Sequence, residues 1–151
     1  MKNISILLLL FLIGCSDKIQ KTDNPIEKSI IILEAISKQK YKLVREEYVG
    51  RKETREKYKN ELDTLSIQIF NALKKHGFPN KEKVIISVKE KLQIPKDYGD
   101  EFNGKDSIEI VSTKIELGSK KDCEIEMGFV LKNNEARLLR VGFRDFSVHS
   151  H

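Results

Sequence analysis

Apolar residues along this chain keep a helical spacing as far as His76 and a spacing of two beyond Asn80, and the change is made across the short link Gly77-Phe78-Pro79-Asn80. Helices repeat every 3.6 residues and strands every two, so one change of period divides the chain into a helical half and a half built of strands. Strands that follow one another without intervening helices pair antiparallel through short turns, and the helices are left to cover their apolar face. The pattern therefore limits the chain to an α+β arrangement.

In the helical half, Asn24-Pro25-Ile26-Glu27 is a start signal. Asn24 caps, Pro25 suits the first helical position, and Glu27 completes a capping box. Ile26, Ile30, Leu33 and Ile36 form the stripe of this first helix, which ends at the polar Ser37-Lys38-Gln39-Lys40; Tyr41, Leu43, Val44 and Tyr48 predict a short second one closed by Gly50. Tyr58, Leu62, Leu65, Ile69, Ala72 and Leu73 alternate steps of four and three. They predict one long third helix from about Lys52 to His76, ended by Gly77 and Pro79.

The strand half alternates through Val84, Ile86 and Val88, then Val111 to Leu117, then Cys123 to Leu131, then Leu139 to Phe143. Gly118-Ser119-Lys120-Lys121 and Asn133-Asn134 supply turns. Two strands change phase: Ile108 and Ile110 are even while Val111 to Leu117 are odd, and Val141 and Phe143 are odd while Phe146 and Val148 are even. A bulge in each would restore the pattern and curve the sheet. The expected domain spans residues 25–147, with N-terminal helices packed on a curved antiparallel sheet of about four strands, and 148–151 form a tail.

The first residues carry an address. Met1-Lys2-Asn3 is followed by the apolar run Ile4 to Ile13, interrupted only by Ser5, and then by Gly14 and Cys15. One early positive charge and a run shorter than the roughly 20 residues of a spanning helix are the layout of a signal peptide. Leu12-Ile13-Gly14-Cys15 resembles the lipobox of bacterial lipoproteins. The resemblance implies cleavage of residues 1–14 and lipidation of Cys15, whose thiol carries the thioether lipid. It also implies a location in the cell envelope, with the periplasmic face of the outer membrane preferred because Ser16 follows the cysteine. Residues 15–24, polar apart from Ile19, read as the lipidated cysteine and a flexible tether. With Cys15 committed to lipid, Cys123 is left without an internal partner and reads as a small core residue.

Helix, short helix, long Gly-terminated helix and a curved meander resemble the cone-shaped nuclear transport factor 2-like (cystatin-like) fold of small lipoproteins. The residues that carry the likeness are the stripe Tyr58 to Leu73, the Gly77-Phe78-Pro79 exit and the strands from Val84 to Phe146. Enzymatic members place an Asp or an Asp-His pair in the hollow between helix and sheet. Here the predicted inward positions are aliphatic or aromatic, His76 sits at a charged helix end, and His149 and His151 lie on the tail, so the enzymatic pattern finds no catalytic residue, metal ligand or cofactor site.

The net charge of +5 arises from 28 basic and 23 acidic residues interleaved along the chain, a solvated surface more than a nucleic-acid stripe. Arg51, Lys52, Arg55 and Lys59 gather near one helical face and are the candidate contact for an anionic surface, against a solvated face shared with Glu53 and Glu56. Glu109, Glu116, Asp122, Glu124 and Glu126 offer carboxylates on strand positions, with neutralisation by Lys114, Arg137 or Arg140 as the simpler use. The sequence thus points to a non-enzymatic protein attached to the membrane by its lipid and binding a ligand or a protein partner. The alternative is an immunity or inhibitor lipoprotein directed at a periplasmic toxin or hydrolase, and the third reading is a small-pocket enzyme of the same fold.

Overall fold

The structure is a computed structural model that describes residues 18–94, 102 and 107–146; the expected signal peptide over residues 1–14, Cys15 and the expected tail with His149 and His151 lie outside the described residues. Four helices come first: α1 (Pro25–Ser37), α2 (Tyr41–Glu47), α3 (Lys52–Lys57) and α4 (Lys59–His76). A 3-10 turn over Lys81–Lys83 leads into β1 (Val84–Gln93), β2 (Ser107–Leu117), β3 (Cys123–Lys132) and β4 (Glu135–Asp145). The strands form one antiparallel sheet in the order β1-β2-β3-β4, so the domain is the expected α+β meander.

The start of α1 is capped as read, with Asn24 Oδ1 accepting from Ile26 N at 2.9 Å and Glu27 N at 3.3 Å. The return arm of the box is relayed. Thr22 Oγ1 accepts from Asn24 N at 3.2 Å and donates to Glu27 Oε2 at 2.7 Å, so Glu27 reaches the cap residue through a hydroxyl. This relay belongs to a longer docked segment: Ile19 is buried in the main core, and Ala136 N donates to Thr22 O at 2.7 Å. The chain therefore joins the domain at Ile19 rather than at Asn24, because one apolar side chain and one sheet-edge hydrogen bond hold a stretch that is otherwise polar.

The long third helix is interrupted. Tyr58 ends α3 and begins α4 with φ −100° and ψ 19°, and it is 46% exposed instead of lying on the buried stripe. The reason is visible in the preceding turn. Lys52 to Lys57 contains no apolar residue and buries none, so nothing holds it on the axis that Ser66, Ile69, Ala72 and Leu73 fix against the sheet. Gly77, at φ 87°, closes α4 with its N–H on Leu73 O, a backbone region in which a side chain would be strained.

The main core joins Ile32, Leu33 and Ile36 of α1 and Ile69 of α4 to Ile115, Ile125, Met127, Phe129 and Leu138 of the sheet, all at most 1% exposed. Each such side chain contributes about 1.5–3 kcal/mol on burial. Cys123 belongs to the same core. Burial, followed by the negative charge of Asp145, raises its thiol pKa above the ordinary value, which leaves it protonated and unreactive.

The phase change in β2 has a different cause from the one the sequence suggests. Register with β3 runs without interruption from Ile110 to Leu117, so β2 has no bulge there. What changes is the face that is covered. Thr113, Ile115 and Leu117 face the helices, whereas Ile108 and Ile110 point the other way and join Val130 and Phe102 in a second small core, with Val49, Ile94 and Leu139 packed around it. The irregularities fall on the neighbouring strands, between Ile86 and Val88 of β1 and opposite Gly128/Phe129 at Leu139 of β4. Bulges at these places bend the sheet. The second expected phase change has no bulge either within the described residues, since β4 ends at Asp145 and Phe146 is exposed.

Both short turns are where the sequence places them. Asn133 and Asn134 have φ 52° and 57°, the left-handed pair that a two-residue hairpin needs. Gly118 has φ 85°, and a Cβ there would lie 2.1 Å from Asp122 Oδ2.

Candidate functional site

Three of the strand carboxylates, Glu116, Glu124 and Glu126, have lysine or arginine neighbours, Asp122 lies 3.7 Å from His76, and Glu109 is exposed. On the sheet face away from α1, Lys114 lies 2.5 Å from Glu124 and 3.4 Å from Glu116, Arg144 is 3.0 Å from Glu124, and Arg140 is 2.6 Å from Glu90. Glu124, followed by Glu116, raises the Lys114 pKa, and Lys121, followed by Lys114, lowers that of Glu116. The face is a charge ladder, and Arg137, expected among its cations, is employed elsewhere.

Arg137 leaves the ladder because the register of β4 points it at the end of α2. Its Nε donates to Glu47 O at 3.2 Å and its Nη2 to Glu46 O at 2.8 Å. The last carbonyls of a helix lack intrahelical donors and carry partial negative charge, so the guanidinium serves as a side-chain cap for α2. The link that follows is pinned to β4 as well, with Val49 N on Leu138 O at 2.7 Å. From α3, Arg55 returns across this link, its Nη1 donating to Tyr48 O at 3.1 Å and Gly50 O at 2.5 Å.

Between these elements is a cavity of about 480 Å³ lined by Lys21, Arg51, Arg55, Lys132 and Arg137, with Tyr48, Asn133 and Glu135. Among the described residues Glu135 is the single carboxylate on its wall, and two lysines already share it: Lys21 and Lys28, each at 3.4 Å. Lys28 is fully buried beneath and also meets Glu47 at 2.6 Å and Gln20 O at 3.2 Å. Glu47 Oε2 is buried without a well-aligned donor, so this contact is an ion pair by distance rather than a hydrogen bond. Lys132 Nζ rests 5.8 Å from the centre of the Phe102 ring. Burial pushes the Tyr48 phenol far above the ordinary tyrosine range, so it acts here as a neutral group.

The chemical character of the cavity follows from what its guanidinia touch. Arg55 and Arg137 are held by main-chain carbonyls and, among the described residues, pair with no carboxylate. Each is oriented yet keeps its charge. Arg55 spends only Nη1, leaving its Nε/Nη2 edge, which matches the paired oxygens of a carboxylate or phosphate, whereas Arg137 spends Nε and Nη2 and leaves Nη1 as a further donor.

Of the four cations singled out in the sequence, the structure brings Arg51 and Arg55 to this wall, while Lys52 and Lys59 are exposed and do not line it. The break at Tyr58 separates Lys59 from the others. Lys21, Lys132 and Arg137 were missed, since they come from the docked N-terminal segment and the β3–β4 hairpin, far from α3 in sequence. Lys28 carried one signal: it sits between apolar Ile26 and Ser29-Ile30 on the inner side of α1. No family model, curated protein or solved structure matches the chain significantly.

Proposed function

We propose that this is a lipid-anchored, non-enzymatic protein of the cell envelope that binds an anionic ligand in the cavity between α2, α3 and the β3–β4 hairpin. The observation that carries the reading is the pair Arg55 and Arg137, oriented by main-chain carbonyls and, among the described residues, without a carboxylate partner. Two other arginines of the chain end on acids, Arg45 on Asp63 and Arg144 on Glu124. The lipobox-like Leu12-Ile13-Gly14-Cys15 supports anchoring, with the periplasmic face of the outer membrane as the preferred site. Among the described residues no helix is long and apolar enough to cross a membrane. Helices followed by a meander support a nuclear transport factor 2-like domain.

Calorimetric titration of the lipidated protein in non-ionic detergent with inorganic pyrophosphate tests the cavity. Saturable binding that weakens about tenfold or more in Arg55→Gln and Arg137→Gln is expected, from the loss of a charge-assisted hydrogen bond. Binding that ignores both substitutions sinks the reading. For the anchor, metabolic labelling with a fatty acid should mark the wild type and leave Cys15→Ser unmarked.

A second reading, an immunity or inhibitor lipoprotein, is supported by β1. This strand ends the sheet, and Ile85, Ile86, Val88 and Leu92 on it are 39–52% exposed, a surface suited to a protein partner. A toxin gene beside this one would favour it.

A further inference from the structure

We infer that the anion taken by the basic cavity is the phosphomonoester head group of a lipid in the membrane that carries the anchor. The inference rests on the lipidated, anion-binding reading above and adds what the ligand is and where it comes from.

The first argument is reach. The domain holds the chain from Ile19, which is buried in the main core, and Lys21, two residues later, is already part of the cavity wall. From Ile19 back to Cys15 there are four residue steps, which span at most about 14 Å when fully extended. A lipid on Cys15 therefore keeps this end of the domain, and with it the cavity, against the head-group layer. A long tether would leave the cavity free to face any direction; the docking of Ile19 removes that freedom.

The second argument is charge and donor number. Among the described residues, five cations and one already shared carboxylate line the cavity, and two of its guanidinia, Arg55 and Arg137, keep unused donors. A carboxylate has one charge and two oxygens, enough for a single guanidinium edge. A phosphodiester likewise has one charge and two free oxygens. A phosphomonoester offers three free oxygens and close to two charges, so it can engage Arg55 and Arg137 together and still accept from Lys132. The hairpin that supplies Lys132 also presents Leu131 with 55% of its surface exposed, an aliphatic side chain suited to the acyl boundary beside the head groups.

The test uses the lipidated protein inserted in vesicles of phosphatidylcholine alone, or with phosphatidic acid, or with phosphatidylglycerol at matched surface charge, and follows thermal unfolding by circular dichroism. A ligand that binds only the folded state raises Tm, and the expected rise is about 4 °C or more, confined to phosphatidic acid. Arg137→Gln and Lys132→Gln should each abolish that rise relative to their own value in phosphatidylcholine; the second variant leaves the α2 cap intact. Lys52→Gln/Lys59→Gln, outside the cavity, should keep it. Equal rises in phosphatidic acid and phosphatidylglycerol, or a rise that survives both cavity variants, would overturn the inference in favour of diffuse surface charge. A full, Arg137-dependent rise produced by inorganic phosphate over phosphatidylcholine, with nothing added by phosphatidic acid, would overturn the lipid source and leave the anion-binding cavity standing. Absence of any Arg137-dependent response, to lipid or to inorganic phosphate, would sink both readings.

Discussion

Lys28 Nζ lies 2.6 Å from Glu47 Oε2, joining the first turn of α1 to the end of α2 with the lysine side chain wholly removed from solvent. Glu135 of β4 completes the group at 3.4 Å, so one buried cation ties two helices and the sheet edge beneath the basic cavity. Removing one partner from such a group leaves a buried charge without compensation, which costs about 3–5 kcal/mol. Lys28→Met should therefore destabilise strongly in urea unfolding. Lys28→Met/Glu47→Met should recover a substantial part of the loss, because it removes the stranded carboxylate too. Strictly additive losses would show that the pair is not coupled.

Two neighbouring isoleucines on α4 separate core from surface. Ile69 is fully buried and Ile67 is 45% exposed. Ile69→Ala should cost about 2–5 kcal/mol from lost burial and the cavity left behind, and Ile67→Ala about 0.5 kcal/mol or less. Similar denaturation midpoints for the two variants would mean that the buried face of α4 is misplaced.

Tyr48 gives the domain an alkaline limit. Its phenol is raised by burial in the folded protein, whereas in the unfolded chain it titrates near pH 10. The native state keeps a proton that the unfolded state sheds, so this contribution is intact below about pH 10 and is lost as the pH rises through and beyond it. Tyr48→Phe should show a shallower fall in Tm between about pH 9 and 11 than the wild type. Parallel curves would place the phenol in solvent.

Asn134, at φ 57°, occupies the second left-handed position of the β3–β4 hairpin. Asn134→Val should lower stability by about 1–2 kcal/mol through left-handed strain, while Asn134→Gly should be neutral or stabilising. Thermal unfolding of the two variants decides the turn type, and a tolerated valine would exclude it.

Local features were legible because their causes are local. Asn24 and Pro25 start α1 with groups within three residues of one another, Gly77 stops α4 on its own backbone freedom, and Asn133-Asn134 turns the chain through a conformation that asparagine accepts. The alternation of Val111 to Leu117 and Cys123 to Leu131 likewise marks strands by itself, and the change of period at Asn80 orders helices before sheet.

Alternation, however, tells which side chains share a face and not which face is covered. A single buried face would require a bulge after Ile108 and Ile110, whereas tertiary packing buries opposite faces at the two ends of β2. The cavity has the same origin. Arg51 and Arg55 could be grouped from sequence because they lie one helical turn apart, but Lys21, Lys132 and Arg137 reach them only through the docking of Ile19 and the register of β4 on β3. By itself the sequence determined the order of helices before strands and most of the elements, the break at Tyr58 apart, since hydrogen bonding and apolar periodicity act over a few residues. The tertiary structure alone decided which charges pair and which stay uncompensated, because an ion pair depends on distances of a few ångströms between residues that are far apart along the chain.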